Sequence, residues 1–162
     1  MEKGKAFFVV GHRNWGKSKT LQALTKGSRK RRIEIKTKQF FIRSMSNEDV
    51  PDSFNKFLKK LDPNRKPYLI VALCPKFDQR STNTNKPSTE EMLQQLRRKN
   101  YKLFFFILVH QWHENGYGRI SENDIKRLEK FGEVKLYSSN DKRDNANVTK
   151  AKELRKYIES KL

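Results

Sequence analysis

Apolar residues are clustered in short blocks, and the spacing inside each block predicts a strand or a helix. Continuous apolar runs at 6–10, 68–74 and 101–109 are typical of strands buried on both faces of a sheet. Ile33 and Ile35 alternate with charged residues, as in a half-buried strand. The predicted strands are 6–10, 31–36, 39–45, 68–74, 101–109 and 134–137, with 31–36 and 39–45 joined as a hairpin and 101–109 at the centre of the sheet.

Helical spacing of apolar residues fills most of the intervals between these strands. From Phe54, apolar residues recur at i+3, i+4 and i+7, which is the stripe of an amphipathic helix. Ser88 or Thr89 is a suitable cap for another helix, and Ser121 begins a further one that Gly132 ends. The predicted helices lie within 15–26, at 51–61, after 88–89, at 121–131 and at 146–162, whereas 112–120 is predicted to be a loop.

The alternation of strands and helices predicts the fold class. Parallel strands joined by helical crossovers place helices on both faces of a sheet. We therefore expect an α/β fold, a three-layer α/β/α sandwich around a mostly parallel sheet of about six strands.

Composition narrows the class of protein. The chain has 162 residues, with 37 Lys and Arg against 18 Asp and Glu, so its formal net charge is +19. Its single cysteine, Cys74, excludes an internal disulfide framework. The apolar runs are shorter than the roughly 20 residues that a membrane-spanning helix needs. We expect one soluble, cytoplasmic domain over 1–162, with no membrane span.

One motif in the chain carries specific chemistry. The eight residues from Gly11 to Ser18 fit the pattern G-x-x-x-x-G-K-[ST], between a predicted buried strand and a predicted helix. Glycines let backbone N–H groups approach an anion, and the helix N-terminus attracts negative charge. Lys17 is expected to contact the β- and γ-phosphates of a nucleoside triphosphate, and Ser18 to ligate Mg²⁺.

The same segment supports a resemblance to a family. Gly11, Asn14, Gly16, Lys17, Ser18 and Leu21 fit G-x-x-N-x-G-K-S-x-x-L. This pattern resembles the phosphate loop of Ras-like GTPases of the translation-factor class, within the P-loop NTPase superfamily. The order of elements, with an antiparallel second and third strand, also resembles that fold. The resemblance implies Ras-like topology, with a nucleoside triphosphate and Mg²⁺ as cofactors and Lys17 and Ser18 as the catalytic residues.

The other boxes of that family are degenerate in this sequence. The place of D-x-x-G reads Arg43-Ser44-Met45-Ser46-Asn47, and the place of N-K-x-D reads His110-Gln111-Trp112-His113. Guanine specificity is therefore unsupported, and ATP and GTP both stay open. The candidate nucleotide-binding residues are Gly11, Asn14, Trp15, Gly16, Lys17, Ser18, Lys19, His110, Ser138 and Ser139.

A carboxylate is also needed beside the metal. Glu48 and Asp49 follow the third strand, and we favour either of them over Asp78, which lies three residues beyond Pro75. The predicted metal ligands are Ser18 and Asp49. Asp49 has an alternative role as the cap of the next helix.

Positive charge is concentrated in one segment. Residues 26–38 contain seven Lys and Arg residues, against Glu34 as the one acidic residue. Such a run predicts binding to nucleic acid or another polyanion through phosphate contacts, with solubility as the alternative role. The candidate nucleic-acid-binding residues are Arg29, Lys30, Arg31, Arg32, Lys36 and Lys38.

Three functions fit these features. The first is an NTPase, or an NTP-dependent switch, that acts with a nucleic acid, a ribonucleoprotein or another polyanionic partner. The second is a nucleotide-binding module that does not hydrolyse its ligand. The third is a small-molecule or polynucleotide kinase, in which arginines clamp the transferred phosphoryl group.

Overall fold

The computed structural model describes residues 4–12, 15–27, 31–47, 51–75, 77, 88–113, 116–138 and 146–162. Eight strands lie in these ranges: β1 (Gly4–Val10), β2 (Arg32–Ile35), β3 (Lys38–Arg43), β4 (Tyr68–Leu73), β5 (Tyr101–Leu108), β6 (His110–His113), β7 (Gly116–Arg119) and β8 (Gly132–Tyr137). The five helices are α1 (Lys17–Leu24), α2 (Pro51–Lys60), α3 (Thr89–Arg98), α4 (Glu122–Glu129) and α5 (Ala146–Ser160).

Six of the strands form one sheet, in the order β2-β3-β4-β1-β5-β8. All neighbouring pairs are parallel except β2 and β3, which form the antiparallel hairpin expected from the sequence. The prediction that 101–109 is the central strand is wrong by one place, because β4 and β1 are the middle pair. Continuous hydrophobicity indicates burial on both faces, and β1, β4 and β5 all share that property.

The predicted loop at 112–120 is also wrong, because this part of the chain contains strand. β6 and β7 pair as a separate antiparallel hairpin, with His110 opposite Arg119 and Trp112 opposite Tyr117. A backbone hydrogen bond of 3.0 Å from Ile120 N to Val109 O closes the base of the hairpin. The two glycines of Gly116-Tyr117-Gly118 indicated a loop, yet glycine is tolerated in a short strand with a single neighbour.

Stacked aromatic rings fill the space on both faces of the sheet. Phe7 and Phe104, side by side on β1 and β5, stack with ring centroids 4.6 Å apart. On the opposite face, Phe8 and Phe105 stack at 5.2 Å.

Helices cover both faces of this core. The Phe7 ring meets Tyr157 of α5 edge to face, and α5 packs along α1. On the other face the Phe41 ring of β3 stacks on Phe57 of α2, which contacts α3. The fold is therefore α/β, with helices on both sides of a mostly parallel sheet.

Local signals in the sequence explain where several elements begin. Ser88 caps α3 in a reciprocal capping box with Glu91, and the Ser121 hydroxyl accepts a hydrogen bond from the first turn of α4. Gly132 was expected to end α4, but it is instead the first residue of β8. A Cβ atom there would overlap the carbonyl oxygen of Leu103, so glycine permits β8 to approach β5.

The apolar segments are strands and amphipathic helices. Within the described ranges, no helix is both long enough and apolar enough to cross a membrane.

Candidate functional site

The segment from Gly11 to Ser18 links the end of β1 to the start of α1, at the edge where the parallel strands end. Gly11 N donates to Leu73 O at 3.1 Å, one step beyond β1, and so keeps β1 and β4 together up to the loop. Trp15 N then donates to His12 O at 3.2 Å, which turns the chain toward α1. The motif therefore lies between a buried strand and a helix N-terminus, as predicted.

Gly16 gives the loop its shape. It precedes α1 with φ of 80° and ψ of 20°, a left-handed conformation that glycine adopts without a steric penalty. A Cβ atom on Gly16 would lie 2.9 Å from Asn147 Oδ1 in the first turn of α5. Since glycine has no capping side chain, the first N–H groups of α1 are donors that can bind an anion.

Lys17 is the first residue of α1, and its side chain folds back over the loop. Its ammonium nitrogen Nζ donates to the carbonyl oxygens of Gly11 at 2.6 Å and His12 at 2.8 Å. Only 8% of the residue is exposed to solvent. Loop carbonyls thus hold a buried positive charge beside the N-terminus of a helix, and this arrangement favours an anionic ligand.

Ser18 and Lys19 are exposed residues of the same helical turn. The Ser18 hydroxyl donates to Ser44 O at 3.1 Å, immediately after β3. The end of β3 therefore reaches the first turn of α1, although β4 separates β3 from β1 in the sheet. Asp49, the predicted metal ligand beyond this point, lies outside the described residues.

Asn47 anchors the segment after β3 to the segment after β4. Its amide donates to Cys74 O at 3.1 Å and accepts from Cys74 N at 2.8 Å. This double contact continues the pairing of β3 and β4 beyond their last residues. Among the residues that can be described, no group of three or more His, Cys, Asp and Glu side chains is placed to hold a metal ion.

The start of α5 adds two residues that the sequence interpretation missed. Besides Asn147, the Nζ atom of Lys150 lies 3.9 Å from the Cβ position of Gly16. Lys150 is 7% exposed, and burial lowers the pKa of its ammonium group. The available signal was helical spacing, since Lys150 stands four and seven residues before the inward-facing Leu154 and Tyr157.

Trp15 belongs to the core. It is 4% exposed, and its ring meets the His12 ring edge to face at 4.9 Å. The ring offers little free surface on which a nucleotide could stack, so its clearest role is to support the loop from behind.

Two further predicted nucleotide contacts, His110 and Ser138, follow strands that end at the same edge of the sheet. His110 begins β6 directly after β5, and Ser138 is an exposed residue directly after β8. The ends of these two strands are joined by a 3.0 Å hydrogen bond from Val109 N to Tyr137 O. Asn14 and Ser139 lie outside the described residues, as does the side chain of His110.

The predicted polyanion-binding residues lie elsewhere. Arg31, Arg32, Lys36 and Lys38 are exposed on or beside the β2–β3 hairpin. Lys38 begins β3, so this group lies near the end of the sheet where the parallel strands begin, called here the amino edge. The Gly11–Ser18 loop lies at the opposite end, where these strands finish, called the carboxyl edge. The turn of the hairpin is left-handed at Lys36 and Thr37, with φ of 48° and 66°. Arg29 and Lys30 lie outside the described residues.

Comparisons of the chain with protein-family models, with curated proteins and with solved structures found no match in any of the three. Its function is therefore inferred from the geometry of its own residues.

Proposed function

We propose that this protein binds a nucleoside triphosphate, ATP or GTP, with the phosphates seated on the Gly11–Ser18 loop. The observation that carries the proposal is the position of Lys17 Nζ, held 2.6 Å from Gly11 O and 2.8 Å from His12 O at the first turn of α1. The left-handed Gly16 supports it, because the backbone there can approach a phosphate closely.

Three sets of positive groups would contact the phosphates. Lys17 would exchange its bonds to loop carbonyls for bonds to phosphate oxygens, which are stronger because both partners are charged. The first N–H groups of α1 would bind the same oxygens. Lys150 lies close enough to add a second positive charge on the α5 side.

A magnesium ion would bind beside this loop through the Ser18 hydroxyl and the predicted ligand Asp49. The Ser18 hydroxyl is exposed at the first turn of α1 and lies within hydrogen-bond distance of Ser44, so it faces the segment that leads to Asp49. A hydroxyl and a carboxylate are oxygen ligands of the kind that Mg²⁺ prefers. When bound, the ion would neutralise charge on the β- and γ-phosphates.

The proposed activity is hydrolysis, or an NTP-dependent switch, coupled to a polyanionic partner. Binding without hydrolysis is a second candidate, and a specific observation favours it. Residues 44–47, which are described directly after β3, include no carboxylate, and Asn47 among them is bonded to the backbone of Cys74. Only two features of the Ras-like resemblance support the proposal, the loop and the antiparallel β2–β3 pair.

Titration with fluorescent ATP and GTP analogues, with and without Mg²⁺, tests the proposal. Lys17→Ala should weaken binding by roughly 10- to 100-fold, the value of one or two hydrogen bonds to a charged group. Lys126→Ala removes an exposed charge from α4, outside the candidate site, and should bind almost as tightly as the wild type.

A phosphate-release assay on the same samples distinguishes an NTPase from a module that binds nucleotide without hydrolysing it. Phosphate release that Lys17→Ala abolishes would establish an NTPase, whereas tight binding without release would establish the binding module. If neither nucleotide binds the wild type, or if Lys17→Ala binds as well as the wild type, the loop is not a nucleotide site.

A further inference from the structure

A positively charged groove lies at the amino edge of the sheet. A groove of about 470 Å³ runs between the β2–β3 hairpin and the segment that enters β4. Its lining includes four cationic residues from two distant parts of the chain and two half-buried aromatic residues. These six residues, called here the amino-edge groove, are Arg32, Lys38, Arg65, Lys66, Phe41 and Tyr68.

The charge of this groove is uncompensated. The lining that the structure describes contains no aspartate or glutamate. None of the four cations forms an ion pair with a carboxylate of the described residues. Four like charges around one concave surface create a local positive potential, which favours a ligand with several regularly spaced negative charges.

The cations are placed over aromatic rings. Lys66 Nζ lies 4.1 Å from the centroid of the Phe41 ring, and Lys38 Nζ lies 5.9 Å from that of Tyr68. The Tyr68 ring also packs on the buried Phe40, with ring centroids 5.2 Å apart. Each of the two rings in the lining therefore has an ammonium group beside it, and this combination suits a ligand that carries both phosphates and flat bases.

The second segment is held in a fixed conformation. The carbonyl oxygen of Asp62 accepts hydrogen bonds from Arg65 N at 3.0 Å and Lys66 N at 2.8 Å, which closes a turn. The Tyr101 hydroxyl donates to Lys66 O at 2.7 Å. Because the backbone on that side is anchored, only the side chains of Arg65 and Lys66 lose freedom when a ligand binds.

We propose that the amino-edge groove binds single-stranded nucleic acid. Its four cations contact successive phosphates, and a base packs on the exposed part of Tyr68. Besides the cations and Tyr68, the described lining has two hydrogen-bonding side chains, Thr37 and Gln39, so we expect binding to depend little on sequence and strongly on salt. The proposal deepens the polyanion part of the proposed function, but it uses none of the residues of the Gly11–Ser18 loop.

Anisotropy of a labelled oligo(dT), measured over a range of salt concentrations, tests the proposal. The double variant Arg65→Ala/Lys66→Ala should bind more weakly and should reduce the slope of log K against log salt by about 1.4, or 0.7 for each phosphate that is no longer neutralised. The control Lys126→Ala/Lys130→Ala removes the same charge from exposed positions in and just after α4, and its slope should match the wild type.

A second variant tests the aromatic part. Tyr68→Leu keeps an apolar contact with Phe40 and should weaken binding of the single strand by about fivefold or more without changing the salt slope. Thermal unfolding of each variant serves as the control that the variant is folded. Lys17→Ala should bind oligo(dT) like the wild type, so failure of the groove and failure of the nucleotide site give different results.

Two outcomes would overturn the inference. In the first, Arg65→Ala/Lys66→Ala and the α4 control lose the same affinity and slope, so net charge alone is responsible. In the second, duplex DNA binds as tightly as the single strand and Tyr68→Leu has no effect, so the groove recognises phosphate without bases.

Discussion

The two edges of the central sheet hold positive charge in different ways. At the carboxyl edge, Lys17 and Lys150 are buried beside the left-handed Gly16, and the loop backbone supplies further donors. At the amino edge, most of the cations are exposed, and they belong to side chains placed around aromatic rings. The first surface is shaped by the backbone, and the second by side chains.

This difference predicts different kinds of recognition. Buried charges are little screened by salt and impose a precise geometry, so they suit a small anion such as a triphosphate. Exposed charges are screened, and each adds little alone, so they suit a polymer that contacts several of them at once. The molecule therefore has one edge suited to a compact ligand and one suited to an extended ligand.

Gly16→Ala should have the largest effect on the carboxyl edge. The new Cβ would lie 2.9 Å from Asn147 Oδ1 and would force a side chain into a left-handed conformation. We expect a loss of about 2 kcal/mol in the free energy of unfolding, measured with urea. Nucleotide affinity should fall by about tenfold or more, because the loop backbone is strained and the Asn147 side chain must move.

Gly27→Ala is the matched control for that change. Gly27 has the same left-handed conformation, with φ of 82°, but among the described residues beyond its chain neighbours no atom lies within 4 Å of its Cβ position. Gly27→Ala should lower the free energy of unfolding by about 1 kcal/mol, because only the backbone is strained. Nucleotide binding should be unchanged. Equal losses in both variants would mean that the contact between the loop and α5 is unimportant.

Tyr101→Phe should weaken the amino edge. It removes the hydrogen bond to Lys66 O, and we expect a cost of about 1–2 kcal/mol at neutral pH. Burial, with a smaller contribution from the charge of Asp62, raises the pKa of Tyr101 from 10.0 to about 12. Between these two pKa values, the Tyr101 hydroxyl is therefore protonated in the folded protein and ionised in the unfolded chain.

The sign of the pH effect follows from that shift. The stabilisation from Tyr101 is complete below pH 10 and is lost as the pH rises toward 12. Urea unfolding on both sides of pH 10 should show a steeper alkaline loss for the wild type than for Tyr101→Phe. Tyr157, whose pKa burial also raises to about 12, is present in both proteins and cancels in the comparison. Parallel pH profiles would contradict this role of Tyr101.

Thr20→Val should have the smallest effect, with the opposite sign. Thr20 is fully buried in α1, and its hydroxyl has no hydrogen-bond partner among the described residues. Valine has nearly the same shape, so the variant should be more stable by about 1 kcal/mol, measured by thermal unfolding. Nucleotide affinity should not change, because Thr20 faces the core. A loss of affinity would mean that the buried face of α1 also shapes the loop.

The sequence indicated the local structure of the Gly11–Ser18 loop but not the composition of the amino-edge groove, for a physical reason. The Gly11–Ser18 motif is contiguous, and its two glycines and lysine are required by local backbone geometry. The amino-edge groove combines Arg32 and Lys38 with Arg65 and Lys66, and only the β3–β4 register brings them together. Asn147 and Lys150 were missed for the same reason, since their proximity to Gly16 depends on the packing of α5 against α1.

The elements themselves followed largely from local patterns. The hairpin, the capped helices and the buried strands were recognised because each has its own hydrophobic period or cap. The order of the strands in the sheet was not predicted correctly, because β1, β4 and β5 are equally apolar. Nothing in their local sequence decides which of them lies in the middle.

Chemical-shift mapping on one ¹⁵N-labelled sample tests most directly whether the two edges are separate sites. Mg²⁺–ATP or Mg²⁺–GTP should move the amide signals of Gly11 and of Gly16–Lys19, and oligo(dT) should move those of Arg32–Phe41 and Arg65–Tyr68. Each ligand should leave the set of the other largely unchanged. If both ligands move the same signals, or if nucleotide leaves Gly16 and Lys17 unmoved, the assignment of the phosphate loop and of two separate edges is contradicted.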